Sequence, residues 1–407
     1  MGDGVDAETW DVVVVGAGPA GATAALAALT CHPARRPRVL LLDRADFPRD
    51  KCCGDGIAPH VLDVLDGLGA GDLVDDWTPV RSLELARDDR HVRGPLARPT
   101  YVVPREVFDA RLVERAVAAG AVLHRHRVRS VAPQPGTGLT LLDDTIAARV
   151  VIGADGAHSV VRDTAGVPTQ RRVALALRGY VPTPPEWEGA QVIRYGDRRQ
   201  PSYAWAFDRG DGLANVGYGE LLDAAAPPPS RALLLGELER LLPGATRGAD
   251  RWTGHHLPLS GWGFGRHQPD GPTLLVGDAA GLVNPMTGEG IYYAVATGRI
   301  AGEVAAHAVE HDATADAGAR HRHAVRRVLH PHLHHTWAAA RLSDRPRLVD
   351  AGIHAANHDR HAFDQLVELG LGDGRITPRL AAGLVRGLAA GLRPTRRRPP
   401  APQRGAA

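Results

Sequence analysis

Gly16, Gly18 and Gly21 stand in the spacing G-x-G-x-x-G. Such a turn can cradle a pyrophosphate. The first glycine allows the tight turn, and the second lets phosphate approach the backbone. The third lets a helix pack close to a sheet, with its N-terminal dipole facing the anion. Asp43, followed by Arg44, offers a carboxylate to a ribose hydroxyl. Cys52 and Cys53 are neighbours between Lys51 and Gly54, and adjacent cysteines are poorly placed to pair with each other. Cys53 in such a loop could touch substrate or relay a proton, or it is a small buried apolar residue. Arg105 could reach a pyrophosphate or pair with Asp109. Asp155-Gly156 is a second place where a carboxylate and backbone amides could meet a cofactor. Gly277-Asp278 ends another strand, and Asp278 could equally cap a helix. Gly288 and Gly290 lead into a helix from Ile291, whose N-terminus would face a developing negative charge.

These residues need elements to hold them. Val12–Val15 reads as a buried parallel strand, and the small residues after Gly21 read as a helix packed close to it. Arg38–Leu42 reads as the second strand. Strand, helix, strand and acidic residue thus follow in order, which points to a dinucleotide-binding unit rather than an ordinary glycine-rich turn. Residues 44–59 read as a loop, Ile57–Leu68 as an amphipathic helix, and Pro104–Ala119 as a second helix. Short strands are expected over 80–103 and 121–142, and a buried strand over Val150–Ala154. From Arg172 to His267 strands alternate with Pro/Gly loops, which reads as an inserted antiparallel sheet. The aromatics there, Tyr203 and Trp205 among them, could form an apolar substrate wall or ordinary core.

Composition narrows the class. The chain has 407 residues, 44% of them hydrophobic, and a formal charge of +2. It is long enough for two or three subdomains, and its charge argues against nucleic-acid binding. Three cysteines cannot build a disulfide framework. Neither a signal pattern nor an apolar run of about 18 residues is seen, so a cytoplasmic protein is expected. Lys51 is the only lysine. Eleven histidines fall between His307 and His361. His330 and His334 have the spacing of metal ligands, yet no supporting shell accompanies them, so a solvated helix face and no metal are expected. The Pro/Arg-rich segment 392–407 should be a disordered tail, inert or touching an anionic membrane surface.

Several stretches together resemble one family. DVVVVGAGPAG, RDKCCGDGIAP, ALRGY, SYAWAFDRGDGLANVGYG and NPMTGEGI are similar, in order, to segments of the geranylgeranyl reductase family, and above all to its bacterial menaquinone-reductase branch. The resemblance runs from about Val12 to Glu303 and leaves the histidine-rich C-terminal part uncovered. It implies an α/β fold: a Rossmann-type FAD-binding domain with an inserted antiparallel β-sheet substrate domain and C-terminal helices. The expected division is 1–80, 101–171 and 268–305 for FAD, 81–100 and 172–267 for substrate, and 306–391 for the helices. FAD would meet Gly16, Gly18, Gly21, Asp43, Arg44, Arg105, Asp155, Gly156, Gly277 and Asp278. Gly288, Gly290 and Ile291 would lie along its isoalloxazine.

Cys53 matches the family's K-x-C-G cysteine, near flavin and substrate. Tyr203, Trp205 and Phe207 match Tyr-x-Trp-x-Phe, which shapes the isoprenoid pocket. The family motif usually continues with proline, where this chain has Asp208, a departure that bears on the pocket.

The implied reaction is reduction of isolated C=C bonds in a polyisoprenoid lipid, with hydride from reduced flavin and a proton from Cys53 or water. No second strand-linked G-x-G-x-x-G appears, so electrons would come from NAD(P)H or a reduced carrier protein. Peripheral membrane contact would suit such a substrate. An FAD-dependent aromatic monooxygenase and a non-catalytic flavin-binding protein are the alternatives. A flavin-dependent halogenase fits poorly. That class places a catalytic lysine beyond this loop and carries Trp-x-Trp-x-Ile-Pro, whereas this chain has no lysine after Lys51 and has Tyr203 at the first tryptophan.

Overall fold

The computed structural model describes residues 7–31, 36–168, 172–263 and 268–391. The expected disordered tail, 392–407, lies outside the described residues.

The strand Glu8–Val15 sits at the centre of the first sheet, parallel to Val39–Asp43 on one side and Ile146–Gly153 on the other. Its valines, Val12 to Val14, are fully buried, as a strand covered on both faces requires. Val122–Arg125 extends the sheet beyond Val39–Asp43, again in parallel. Thr273–Leu275 runs parallel to the end of Ile146–Gly153. Two antiparallel strands, Leu139–Leu142 and Val131–Gln134, continue that edge. The helices Pro19–Thr30 and Ile291–Glu310 pack against each other beside this sheet.

The second sheet has eight strands, in the order 250–258, 173–182, 213–221, 202–208, 190–195, 80–87, 90–102 and 56–57. All its pairings are antiparallel except that of Ala190–Tyr195 with Val80–Arg87, which is parallel. The two segments lie far apart in the chain, so no hairpin joins them. The inserted strands between residues 173 and 258 pair with one another antiparallel, as expected. The loop before Pro59 also differs from expectation. Gly56-Ile57 pairs with Tyr101-Val102, and the helix is Pro59–Asp66 rather than 57–68. Pro59 suits the first helical turn, where its missing N–H costs nothing.

Strand parity decides which side chains face the site. On Ser202–Asp208, Ala204 and Ala206 join a core with Leu234 and Leu238 of the helix Arg231–Leu241. Sequence reading missed that helix, because only Leu234 and Leu238 are buried along it. Tyr203, Trp205 and Phe207 point to the opposite face. There the C-terminal helices Pro346–His358 and Arg360–Leu371 form a roof, with Val349, Ile353 and Phe363 packed on Leu83, Leu85 and Val92. Phe363 is 2% exposed and rests on Gly94. Phe363→Ala is therefore expected to cost about 3–5 kcal/mol, read as a lower urea midpoint.

The histidine-rich segment is the helix Ala317–Ser343. It is not wholly a solvated face. His321 bonds Leu275 O at 3.0 Å through Nε2, and His332 bonds Gly374 O and the Tyr293 hydroxyl. Both are 1% exposed. Their polar rings are tolerated there because each finds a hydrogen-bond partner.

Candidate active site

Gly16 adopts φ +99, and a Cβ there would lie 2.4 Å from Ala154 O. At Gly21 a Cβ would lie 1.8 Å from Gly16 O. Neither position can carry a side chain without moving backbone. Gly18 differs, because its Cβ would face only two guanidinium groups, Arg49 Nη2 at 3.4 Å and Arg105 Nη2 at 3.9 Å. Arg105 donates to the Asp109 carboxylate from Nε at 2.6 Å and Nη2 at 2.7 Å, and Arg49 approaches the same carboxylate at 3.1 Å. Arg105 thus pairs with Asp109 while its Nη2 faces the glycine turn. Arg49 also lies 3.9 Å from the Asp43 carboxylate, so the two guanidiniums are held by two carboxylates while Arg49 Nη2 and Arg105 Nη2 face Gly18, where N–H donors suit a pyrophosphate. Asp43 sits at the edge of the turn and accepts from Ala17 N and Ala45 N, each at 2.9 Å. The cradle fits FAD.

Asp155 is engaged within its own turn, and Arg44 faces outward. Asp155 accepts from Ser159 Oγ at 2.5 Å and Val160 N at 2.7 Å, and so caps the helix Val160–Thr164. Its carboxylate holds the 155–159 turn, which abuts Gly16, while Gly156 supplies φ +81 within it. Arg44 is exposed and lines an open depression with Arg125, Arg127 and Arg129. Arg49, not anticipated from the sequence, stands by Gly18 instead.

The cysteine loop is held from the second sheet. The fully buried Arg178 donates to Asp50 Oδ1 at 2.5 Å, Lys51 O at 3.1 Å and Cys53 O at 3.3 Å. Asn215 Nδ2 donates to Cys53 O and Asp55 Oδ2, both at 2.8 Å, and Asn215 Oδ1 accepts from Trp205 Nε1 at 2.8 Å. Tyr180 donates its hydroxyl to Asp55 Oδ2 at 2.5 Å. Burial pushes the Asp55 carboxyl up to about 6 against the pull of Arg178, Tyr180 and Asn215. Burial likewise pushes the Cys53 thiol up to about 11, although Arg105 and the Asp55 N–H favour its anion.

One cavity of about 290 Å³ joins these parts. Cys53, Arg105, Asp278, Gly288, Gly290 and Ile291 line one end. Asp278 caps no helix. It pairs with Lys51, the lone lysine, at 3.3 Å, and despite burial Lys51 and His255 hold its carboxyl below the usual range. The wall is Tyr203, Trp205 and Phe207, with successive ring centroids 6.0 and 6.4 Å apart. Tyr203 donates its hydroxyl to Thr287 O, which ties the wall to the Gly288 loop. Asp208 points away by strand parity, accepting from Thr183 Oγ1 and Gly189 N. The departure from the family motif therefore leaves the pocket untouched. The far end of the cavity is the part that sequence reading missed: Val349, Ile353, Leu366, Leu380 and Leu384 of the C-terminal helices.

Among the described residues, the group placed to hold a metal ion is His60, Glu368 and Asp373, not His330 and His334. It also reads as an ordinary ion pair, His60 Nε2 to Glu368 at 3.0 Å.

Glu289, in the Gly288 loop, carries a testable pH effect. Burial raises its carboxyl from 4.5 to about 7. The folded chain then binds a proton that the unfolded chain has released, so stability falls as pH rises from about 4.5 through 7. In flavin-free protein, Glu289→Gln is expected to flatten that fall, read by urea unfolding at pH 5 and pH 8.

Comparison with known proteins agrees with this geometry. A family described as "FAD binding domain" matches residues 9–188. A menaquinone reductase of Mycolicibacterium smegmatis is 33% identical over 317 residues, covering 72% of this chain and 76% of that protein. A digeranylgeranylglycerophospholipid reductase of Methanopyrus kandleri is 36% identical, covering 75% and 79%. Among solved structures, a geranylgeranyl bacteriochlorophyll reductase-like protein of Thermoplasma acidophilum superposes with a TM-score of 0.71 at 21% identity, over 94% of this chain and 96% of that one. No described helix is long and apolar enough to cross a membrane. With a flavin cradle, a K-x-C-G loop and the Tyr-x-Trp-x-Phe wall around one cavity, the chain belongs to the geranylgeranyl reductase family of FAD-dependent oxidoreductases.

Proposed function

We propose that the protein reduces isolated C=C bonds in a polyisoprenoid chain. The observation that carries this is the continuous cavity. It begins at Cys53 and the Gly288–Ile291 loop and ends among leucines and valines of the C-terminal helices. An apolar cavity of this kind suits a prenyl chain laid past the flavin. In this reading residues 1–80, 101–171 and 268–305 hold the cofactor, while the second sheet and the helical roof hold the lipid.

Reduced FAD supplies the hydride; the chain's residues do the rest. The wall and roof exclude water and fix the alkene, which is where the entropy of the reaction is met. The Cys53 thiol, protonated at neutral pH, gives its proton to the carbon opposite the one that receives hydride. An unactivated alkene is a poor hydride acceptor, so this protonation would lead or accompany hydride transfer. The thiolate left behind is met by the Arg105 guanidinium and the Asp55 N–H, and solvent returns the proton.

The test is anaerobic. The purified protein, photoreduced, is mixed with a menaquinone or a geranylgeranyl lipid, and flavin reoxidation is followed with mass analysis. Reoxidation with a gain of two hydrogens per bond is expected. Reoxidation only on admitting oxygen, with a hydroxylated aromatic as product, would replace this reading with the monooxygenase.

A further inference from the structure

The outer side of the helix Ala317–Ser343 carries a stripe of basic and aromatic side chains. His323, Arg327, His330, His334, Trp337 and Arg341 recur three or four residues apart and so share one face. The helix has five arginines and six histidines over 27 residues and no carboxylate. Asp344, just past its end, lies near Arg172 and Arg341.

A loop from the second sheet adds an aromatic to this stripe. Trp262 is 58% exposed. Its ring stacks on His334 at 4.0 Å and meets Trp337 edge-on at 5.2 Å, and the Arg341 guanidinium lies 5.6 Å from the Trp337 ring. Leu342 follows at once. It is 42% exposed and also lines the cavity, with Ser343 and Leu348 beside it. The cavity wall thus reaches the surface next to the aromatic and cationic stripe.

These features ask for one kind of partner. A large exposed indole stabilises little in water, but it suits the boundary between headgroups and acyl chains. A helix face with arginines and no acid is complementary to anionic headgroups. A water-insoluble chain must also pass from a bilayer into the cavity. We propose that the face formed by Trp262, Trp337, Arg341 and Leu342 docks on an anionic lipid bilayer and brings the cavity's edge to the lipid. The delivery role rests on the proposed reductase function; the docking itself does not.

The full-length protein would be sedimented with phosphatidylcholine vesicles, with and without phosphatidylglycerol. Binding at least about ten-fold tighter to the anionic vesicles is expected, and about a ten-fold loss in the double variant Trp262→Asp/Arg341→Glu. Val117→Asp, at another exposed apolar position, should leave binding unchanged. Turnover of a prenyl lipid should fall in the double variant when the lipid is vesicle-embedded, and hold when it is in detergent. Equal vesicle binding by the double variant and the unaltered protein would overturn the proposal, as would no vesicle binding. A change of oligomeric state in its place would assign the face to a second copy of the chain and overturn it too. If vesicle binding follows the variants while no prenyl lipid is reduced, docking stands and the reductase reading fails.

Discussion

Cys53→Ala should lower alkene reduction by about 10²–10⁴-fold, the range that a positioned general acid contributes. Flavin binding should hardly change. Cys53 lies in the cavity wall, while the cradle is built by Gly16, Gly18, Gly21, Arg49 and Arg105. Single-turnover reoxidation of the reduced flavin separates the two effects, because binding is complete before the step that is timed. The pH profile adds a second check. With the thiol at about 11, its protonated form persists across the neutral range, so the rate should stay flat there and fall only as the thiol ionises. An undiminished rate in the alanine variant would remove Cys53 and leave an ordered water as the proton source.

Arg178→Ala should be nearly as damaging without touching the reacting atoms. Arg178 is fully buried and ties Asp50, Lys51 O and Cys53 O to the second sheet. Its loss strands buried acceptors and leaves Asp55 without its nearest cation. Asp50 itself is exposed, so the cost comes from the lost bonds to Lys51 O and Cys53 O and is about 1–3 kcal/mol. The Asp55 carboxyl, at about 6 with Arg178 present, should rise further. The expected outcome is a lower urea midpoint and a turnover reduced by about 10²-fold, since a displacement of about 1 Å is enough for that. Arg178→Lys should recover little, as one ammonium cannot reproduce the planar fork. A variant that keeps full turnover in folded protein would show that the loop holds its shape unaided.

The legible parts of the site were the local ones. The glycine turn, its strand, its helix and Asp43 all fall within the first 43 residues, so spacing alone could place them. The aromatic row was legible too, and parity along Ser202–Asp208 would have put Asp208 outside the pocket, had it been applied. Other features depend on contacts between distant segments. Arg178 meets the cysteine loop from more than a hundred residues away, and nothing near it in the chain marks it as a clasp. Asp155 also binds its own turn, a local bond that Ser159 four residues later signals. The roof was hidden for a different reason. Leucines and valines that line a cavity obey the same helical period as those that fill a core. The histidines misled in turn, since a polar ring at a buried position looks solvated until its acceptor is known.

The helical roof has a consequence for how such a protein changes over time. The hydride-handling end of the cavity is made by segments threaded through both sheets, from Cys53 to Ile291, and a change there disturbs flavin and lipid together. The roof over the opposite end comes from one uninterrupted piece of chain after residue 338, resting on Leu83, Leu85 and Ile193 of the second sheet. Substitutions in that piece can lengthen, shorten or widen the room for a lipid while the redox machinery stays as it is. Selection for a new chain length can therefore act on the segment after residue 338. A chimera exchanging that segment with a relative's should carry the donor's preference for chain length along with it.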